Sequence, residues 1–150
     1  MNGAAVFPFM DANPAQPGTS LMPLMPFVLS HGEQQLSVVG LLDTGGAVNV
    51  LPYSLGEQLG LRWDEQQTPI VLTGNLARLP ARGVVLSASV AQFAPVRLVF
   101  AWTQADDIRL ILGQTNFFLE FDACFFRTRL EFEVKPKSQK QQGLSPNQPP

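Results

Sequence analysis

Glycine and proline divide the apolar residues of this chain into short runs, and these interruptions limit the folds that the chain can adopt. The 150 residues include 12 glycines and 13 prolines, while 45% of all residues are hydrophobic. Both residue types disfavour helix interiors, whereas turns between short strands need them. No run of 18 apolar residues occurs, so we expect neither a membrane-spanning helix nor a membrane partner. The pattern favours a single all-β domain.

Apolar runs of strand length recur between residues 22 and 134. Residues 26–30 and 35–42 flank a glycine-containing connection, which predicts a hairpin. Further strands are expected at residues 68–73, 79–91, 96–103, 109–112, 124–126 and 129–134, and short helices at residues 52–59 and 116–120. Many short strands with one or two short helices are typical of a β-sandwich or β-barrel.

Charge is unevenly distributed along the sequence. All three lysines lie in residues 135–150, which hold no acid, whereas residues 1–134 carry seven arginines against twelve acids, a net charge of −5. An acidic body with scattered arginines argues against a nucleic-acid partner. Residues 135–150 are rich in Gln, Pro and Ser, and this composition predicts a disordered tail.

Residues 1–21 hold three prolines among small and polar residues, which predicts a flexible arm ahead of a domain at residues 22–134. An alternative stays open, in which Phe7, Phe9 and Met10 dock on the domain or on a partner. Residues 1–10 contain no Lys or Arg, so a secretory signal is not expected and a cytoplasmic location is the default.

The single cysteine, Cys124, and the single histidine, His31, restrict the available chemistry. An internal disulfide, a zinc site of clustered Cys and His, and Ser–His–Asp or Cys–His catalysis all need more of these residues. We therefore expect no metal and no cofactor. Any reaction must rest on carboxylates, hydroxyls, amides, Lys or Arg.

An acid at the end of an apolar run is the feature that most indicates chemistry. Leu41 and Leu42 lead directly into Asp43, which Thr44 and two glycines follow. An acid beside apolar residues risks desolvation, and glycine lets the backbone turn sharply. The tripeptide Asp-Thr-Gly arises by chance in roughly 3% of chains of this length, so an ordinary turn remains an alternative on the tripeptide alone.

The context of Asp43 resembles the retropepsin-like aspartic proteases, the single-lobe relatives of the pepsins. In that family a hairpin leads into two apolar residues, Asp-Thr/Ser-Gly, a small residue and an apolar stretch, as residues 41–51 do here. An apolar-apolar-Gly motif follows later, before a short helix, as in residues 110–113. The resemblance covers about residues 24–134 and implies a closed, single-lobe acid-protease-like β-barrel that forms a homodimer.

The resemblance also implies roles around the acid. Asp43 would be the catalytic acid and base, the Thr44 hydroxyl would bond across to the partner's loop, and Gly45 would let backbone approach the substrate or water. Leu112 and Gly113 would pack beside this loop.

Other positions concern the substrate. Gly46, Ala47 and Gln114 depart from the usual family residues, and Gly46 and Ala47 remain candidate substrate-binding positions. A flap over the substrate is expected within residues 71–84, with its mobile part at Thr73, Gly74, Asn75 and Leu76; a plain surface hairpin is the alternative.

Family chemistry needs two aspartates side by side, because such a pair shares one proton. The sequence holds one Asp-Thr-Gly, so an active protease is expected to be a homodimer with one Asp43 from each copy. The leading hypothesis is an aspartic endopeptidase that hydrolyses extended polypeptides through an activated water. The alternatives are a peptide-binding or dimerisation module without useful activity and, less favoured, a small-ligand β-barrel.

Overall fold

Short strands make up most of the fold in the computed structural model, which describes residues 1–138. The strands, in chain order, are β1 Ala5–Pro8, β2 Met10–Asp11, β3 Leu21–Met22, β4 Leu24–His31, β5 Gln34–Leu42, β6 Asn49–Leu51, β7 Pro69–Ile70, β8 Ala81–Ser89, β9 Val96–Thr103, β10 Ile111–Leu112, β11 Phe121–Phe126 and β12 Glu131–Pro136. The two short α-helices are α1 Tyr53–Gln58 and α2 Phe117–Glu120. The predicted all-β fold with one or two short helices is confirmed.

A closed barrel forms the body of the domain. Its strands follow the order β4-β5-β10-β6-β9-β8, and a further pairing between β4 and β8 closes the ring. At this closure Val28 pairs with Ser89 and Leu29 with Ala88, while β7 adds to β8 outside the ring. Closure satisfies the strand edges that an open sheet leaves unpaired. The closed barrel implied by the family resemblance is therefore confirmed.

The barrel interior is filled by large side chains, of which Trp102 on β9 is the largest that is fully buried. Tyr53 stacks on Trp102 with 5.4 Å between ring centroids, and the indole N–H of Trp102 donates to the Tyr53 carbonyl oxygen at 3.1 Å. A methyl group at Gly56 would lie 2.2 Å from the Trp102 Nε1 atom. Only glycine at this position therefore lets α1 lie directly against β9.

Strand β10 lies between β5 and β6, although it comes late in the chain. Ile111 pairs in parallel with Leu41 and antiparallel with Val50. Beyond these strands, Val48 and Thr115 form a parallel bridge. The segments that follow β5 and β10 therefore lie side by side, which brings together the Asp-Thr-Gly motif and the later Leu-Gly motif.

The N-terminal arm is not the loosely ordered segment expected over residues 1–21. Strand β1 pairs antiparallel with β12, and β2 pairs with β3. Phe7 stacks on Phe132 at 5.3 Å between centroids, and Phe9 meets the same ring edge-on at 6.0 Å. The expectation is wrong for these strands because β12 offers an unpaired edge and a buried aromatic side chain. The alternative, docking of Phe7 and Phe9 on the domain, is what the structure has.

The last sheet has the order β1-β12-β11. Phe132 and Val134 are fully buried in the strand that was expected at residues 129–134. Leu130 is not in the strand, because its left-handed backbone (φ 54°) ends a short turn at Arg127–Arg129. Strand β12 runs on through Pro136, so the expected disorder is wrong for residues 135 and 136, and residues 139–150 of the predicted tail lie outside the described residues. No helix within residues 1–138 is long and apolar enough to cross a membrane.

Candidate active site

Asp43 sits directly beyond β5, where the neighbouring strand β10 holds its backbone. The Leu41 N–H donates to the Leu110 carbonyl oxygen and the Asp43 N–H to that of Leu112, both at 2.9 Å. The chain then turns around the carboxylate, because the Gly45 N–H donates to Asp43 Oδ1 at 3.0 Å. The Gly46 N–H donates to the Asp43 carbonyl oxygen, also at 3.0 Å. The half-buried carboxylate is therefore fixed by a strand end and a tight turn.

Backbone hydrogen bonds join a second loop, residues 113–115, to this turn. The Gln114 N–H donates to the Gly46 carbonyl oxygen at 2.8 Å, and the Thr115 N–H to that of Ala47 at 2.9 Å. A methyl group at Gly113 would lie 2.5 Å from the Val48 carbonyl oxygen and 2.7 Å from that of Gly46. Glycine is therefore required at position 113 for the two segments to approach. Residues 43–48 and 113–115 are called the floor below.

Asn49 holds the floor from inside the barrel, although no motif in the sequence singled it out. Its side chain is fully buried. The amide oxygen accepts from the Gly113 N–H at 2.9 Å and from the Phe117 N–H at 3.4 Å. The amide nitrogen donates to the Val99 carbonyl oxygen at 3.0 Å and to the Asn116 amide oxygen at 3.2 Å. An amide within the apolar run of residues 47–51 was the available signal, because a buried polar group needs partners.

Gln114 and Thr44 meet at the solvent side of the floor. The Gln114 side-chain amide donates to the Thr44 carbonyl oxygen at 2.8 Å. The Thr44 residue is exposed, and its hydroxyl forms no hydrogen bond within residues 1–138. Gln114, noted from the sequence as a departure from the family pattern, thus contacts the loop that carries Asp43.

A cleft of about 430 Å³ opens beside the floor. From the floor it is lined by Asp43, Gly45, Gly46, Ala47 and Val48. Thr44, Leu112 and Gly113 do not line it; Leu112 is fully buried beneath. The structure thus brings part of the predicted site to the cleft, whereas Thr44 lies at the surface beside it.

The predicted flap residues line the same cleft: Thr73, Gly74, Asn75 and Leu76. They belong to residues 71–80, called the flap loop below, which connects β7 to β8. β7 covers only Pro69–Ile70 of the strand predicted at residues 68–73, because its pairing with β8 ends at Ile70 and Ala81. A short 3₁₀ turn follows at Gly74–Leu76, where Gly74 has a positive φ of 64°. Within the flap loop, Leu72 is buried whereas Val71 is 86% exposed.

The remaining lining is mostly apolar and comes from Val50, Val71, Leu72, Ile108 and Ile111, with Arg109 as a cation. Asp43 is the one acid that lines the cleft within the described part of the chain. Residues 1–138 contain no group of three His, Cys, Asp or Glu side chains placed to hold a metal ion. The cleft therefore presents one carboxylate among apolar surfaces.

Residues 30–115, more than half of the chain, match a family model described as aspartyl protease. Among solved structures, a retropepsin-like aspartic protease from Rickettsia conorii matches with a TM-score of 0.58 at 10% identity, covering 87% of this chain and 90% of that one. EIAV protease complexed with an inhibitor matches with a TM-score of 0.47 at 18% identity, covering 66% of this chain and 88% of that one. No curated protein matches the sequence.

Proposed function

The chain belongs to the aspartyl protease family, and from this premise we propose that it is an aspartic endopeptidase that works as a homodimer. Its substrates would be extended polypeptides, and its catalytic group a pair of Asp43 residues, one from each copy. The observation that carries this proposal is the place of Asp43: a carboxylate fixed at a strand end that lines the cleft together with the flap loop.

The chemistry requires a second carboxylate beside the first. Two acids at short range share a proton, because ionising both would place like charges together. The ionised member takes a proton from a bound water, and the protonated member donates to the scissile carbonyl oxygen. Since Asp43 is the one acid lining the cleft of the described chain, the second acid is proposed to come from a second copy.

The exposed face of the floor supports this dimer. Thr44 lies at the surface with its hydroxyl free of bonds inside residues 1–138, so it can bond to the partner's loop. Leu112 and Gly113 would act from behind, by holding the backbone of the floor. Gly45 leaves room for the substrate or the water beside Asp43.

A polypeptide would lie in the cleft as an extended strand. Main-chain hydrogen bonds would hold it and pockets would accept alternate side chains. Gly46 and Ala47 would contact it from the floor, and Thr73, Gly74, Asn75 and Leu76 from the flap loop. The shared lining of the cleft supports these assignments.

Digestion of a peptide library between about pH 3 and 7, the range over which carboxyl groups titrate, tests the proposal. The Asp43→Asn variant should keep its fold and dimer but cut no peptide. If it cuts as well as the parent, Asp43 is not the catalytic acid. Lack of cleavage by both would favour the alternative of a peptide-binding or dimerisation module.

A mixing experiment tests the shared dyad. Adding an equal amount of Asp43→Asn to the parent chain should lower activity to about half, because mixed dimers hold one aspartate. A large excess should abolish it. Activity that does not respond to the variant, or sedimentation as an active monomer, would rule out a two-chain site. The cytoplasmic location stays a prediction for cell fractionation to test.

A further inference from the structure

Arg109 is a charged side chain in the cleft that the proposed chemistry does not use. Within the described residues that line this cleft, Arg109 and Asp43 are the charged members, and most of the others are apolar. An arginine among apolar residues at a binding cleft indicates a ligand group that matches its charge.

The segment that follows Arg109 runs beside the strand that leads to Asp43. The Leu110 carbonyl oxygen accepts from the Leu41 N–H at 2.9 Å, so the chain already runs beside β5 before β10 begins. Leu110 and Leu112 are buried, while Ile111 lines the cleft. Successive side chains of an extended chain point to opposite faces. Arg109 precedes this strand and lines the same cleft, next to Ile108 and Ile111.

The guanidinium of Arg109 is free to bind a ligand. The residue is exposed, and it takes part in none of the ion pairs among residues 1–138. Two acids lie close to it in sequence. The carboxylate of Asp106 already accepts from the Ser54 N–H at 2.8 Å, and Asp107 forms no ion pair with Arg109 within the described chain.

We propose that Arg109 makes the cleft select polypeptides with a Glu or Asp side chain near the scissile bond. This rests on the proposed function, since it concerns the same cleft. A guanidinium binds a carboxylate through two parallel N–H···O bonds. It also offsets the repulsion between an acidic substrate and the negative charge of the aspartate pair. The apolar lining would accept uncharged side chains at the neighbouring positions.

Matched peptides that differ only in Glu, Gln or Lys at one position near the cut test this selection. Relative kcat/KM for Glu over Gln should be about 3- to 10-fold in the parent, as for a partly screened ion pair. It should fall to near one in Arg109→Gln. In Arg109→Glu the preference should turn to Lys. The control is Arg97→Gln, an exposed arginine of β9 that does not line the cleft, and it should keep the parent's preference.

The dependence of the Glu preference on pH and on salt distinguishes selection by charge from selection by side-chain size. A peptide Glu titrates near about pH 4.3, so its advantage over Gln should be present above about pH 5 and disappear below about pH 4. Added salt should shrink it as well, because an exposed ion pair is screened.

The outcomes distinguish this inference from the proposed function. Cleavage without a preference for Glu, or a preference that survives Arg109→Gln, overturns the role of Arg109 and leaves the protease in place. If the parent cuts no peptide, the proposed endopeptidase fails, and binding of the Glu and Gln peptides to the Asp43→Asn chain decides the matter. Tighter binding of Glu that is lost when Arg109→Gln is added supports the selection, whereas equal binding overturns it.

Discussion

The floor and the flap loop line the same cleft, but different kinds of contact hold them. Residues 113–115 bond to residues 46–49 through backbone groups that are far apart in sequence, and the buried Asn49 amide adds further long-range bonds. In the flap loop, the described backbone bonds join near neighbours, such as the Leu79 N–H with the Leu76 carbonyl oxygen at 3.0 Å. Long-range bonds break only when the barrel opens, whereas local turns open alone.

This difference fits the two tasks that the proposed function would give the cleft. A catalytic carboxylate loses efficiency when it is displaced by a fraction of an ångström, so it belongs on a rigid support. A loop that admits and releases an extended chain has to move, and such loops come from the less stable part of a fold. Matched substitutions in the two regions test whether the floor is the stiffer one.

The largest effect is expected at Asn49. In Asn49→Ala, the N–H groups of Gly113 and Phe117 and the Val99 carbonyl lose the side chain that they bond to. Buried groups left without partners should lower the free energy of unfolding by about 3 to 5 kcal/mol, as measured by urea denaturation. The matched control, Asn75→Ala in the exposed turn of the flap loop, should change it by less than about 0.5 kcal/mol. Equal effects would remove the distinction between the two regions.

Sequence reasoning reached the parts of the molecule that local patterns encode. Apolar runs located the barrel strands other than β6, and the family resemblance of the Asp43 and Gly113 motifs implied which loops would meet. It missed Asn49, because the partners of this side chain lie 50 to 68 positions away along the chain. It also misread residues 1–21, since the pairing of β1 with β12 joins opposite ends of the described chain. Contacts of this kind depend on topology, which no local pattern reports.

A smaller effect is expected from adding a methyl group to a glycine in each region. In Gly113→Ala the new carbon would lie 2.5 Å from the Val48 carbonyl oxygen, so the two floor segments must separate, at a cost of about 2 to 4 kcal/mol. Gly74→Ala meets no atom within 4 Å and carries only the strain of its positive φ, about 1 kcal/mol.

Thermal or urea unfolding of both glycine variants, followed by peptide cleavage, gives the comparison. Gly113→Ala should lose stability and activity together, because the Asp43 turn moves with its neighbour. Gly74→Ala should stay folded, with only a small loss of unfolding free energy. Its main effect should be a change in KM. A Gly113→Ala chain as stable as the parent would contradict the close packing of the floor.

The smallest effect on stability is expected at Gln114, where the floor reaches solvent. Removing its hydrogen bond to the Thr44 carbonyl oxygen in Gln114→Ala should cost at most about 1 kcal/mol of unfolding free energy. Turnover should fall more noticeably, by about 3- to 10-fold in kcat, because the loop carrying Asp43 is less firmly placed. Gln114→Glu provides the matched test, since it keeps the size of the side chain but replaces the amide donor with an acceptor. If the hydrogen bond is what matters, kcat falls in both variants while KM changes little. If Gln114→Glu retains the parent's kcat, packing rather than the bond holds Thr44, and the stiffness of the floor ends at its buried backbone contacts.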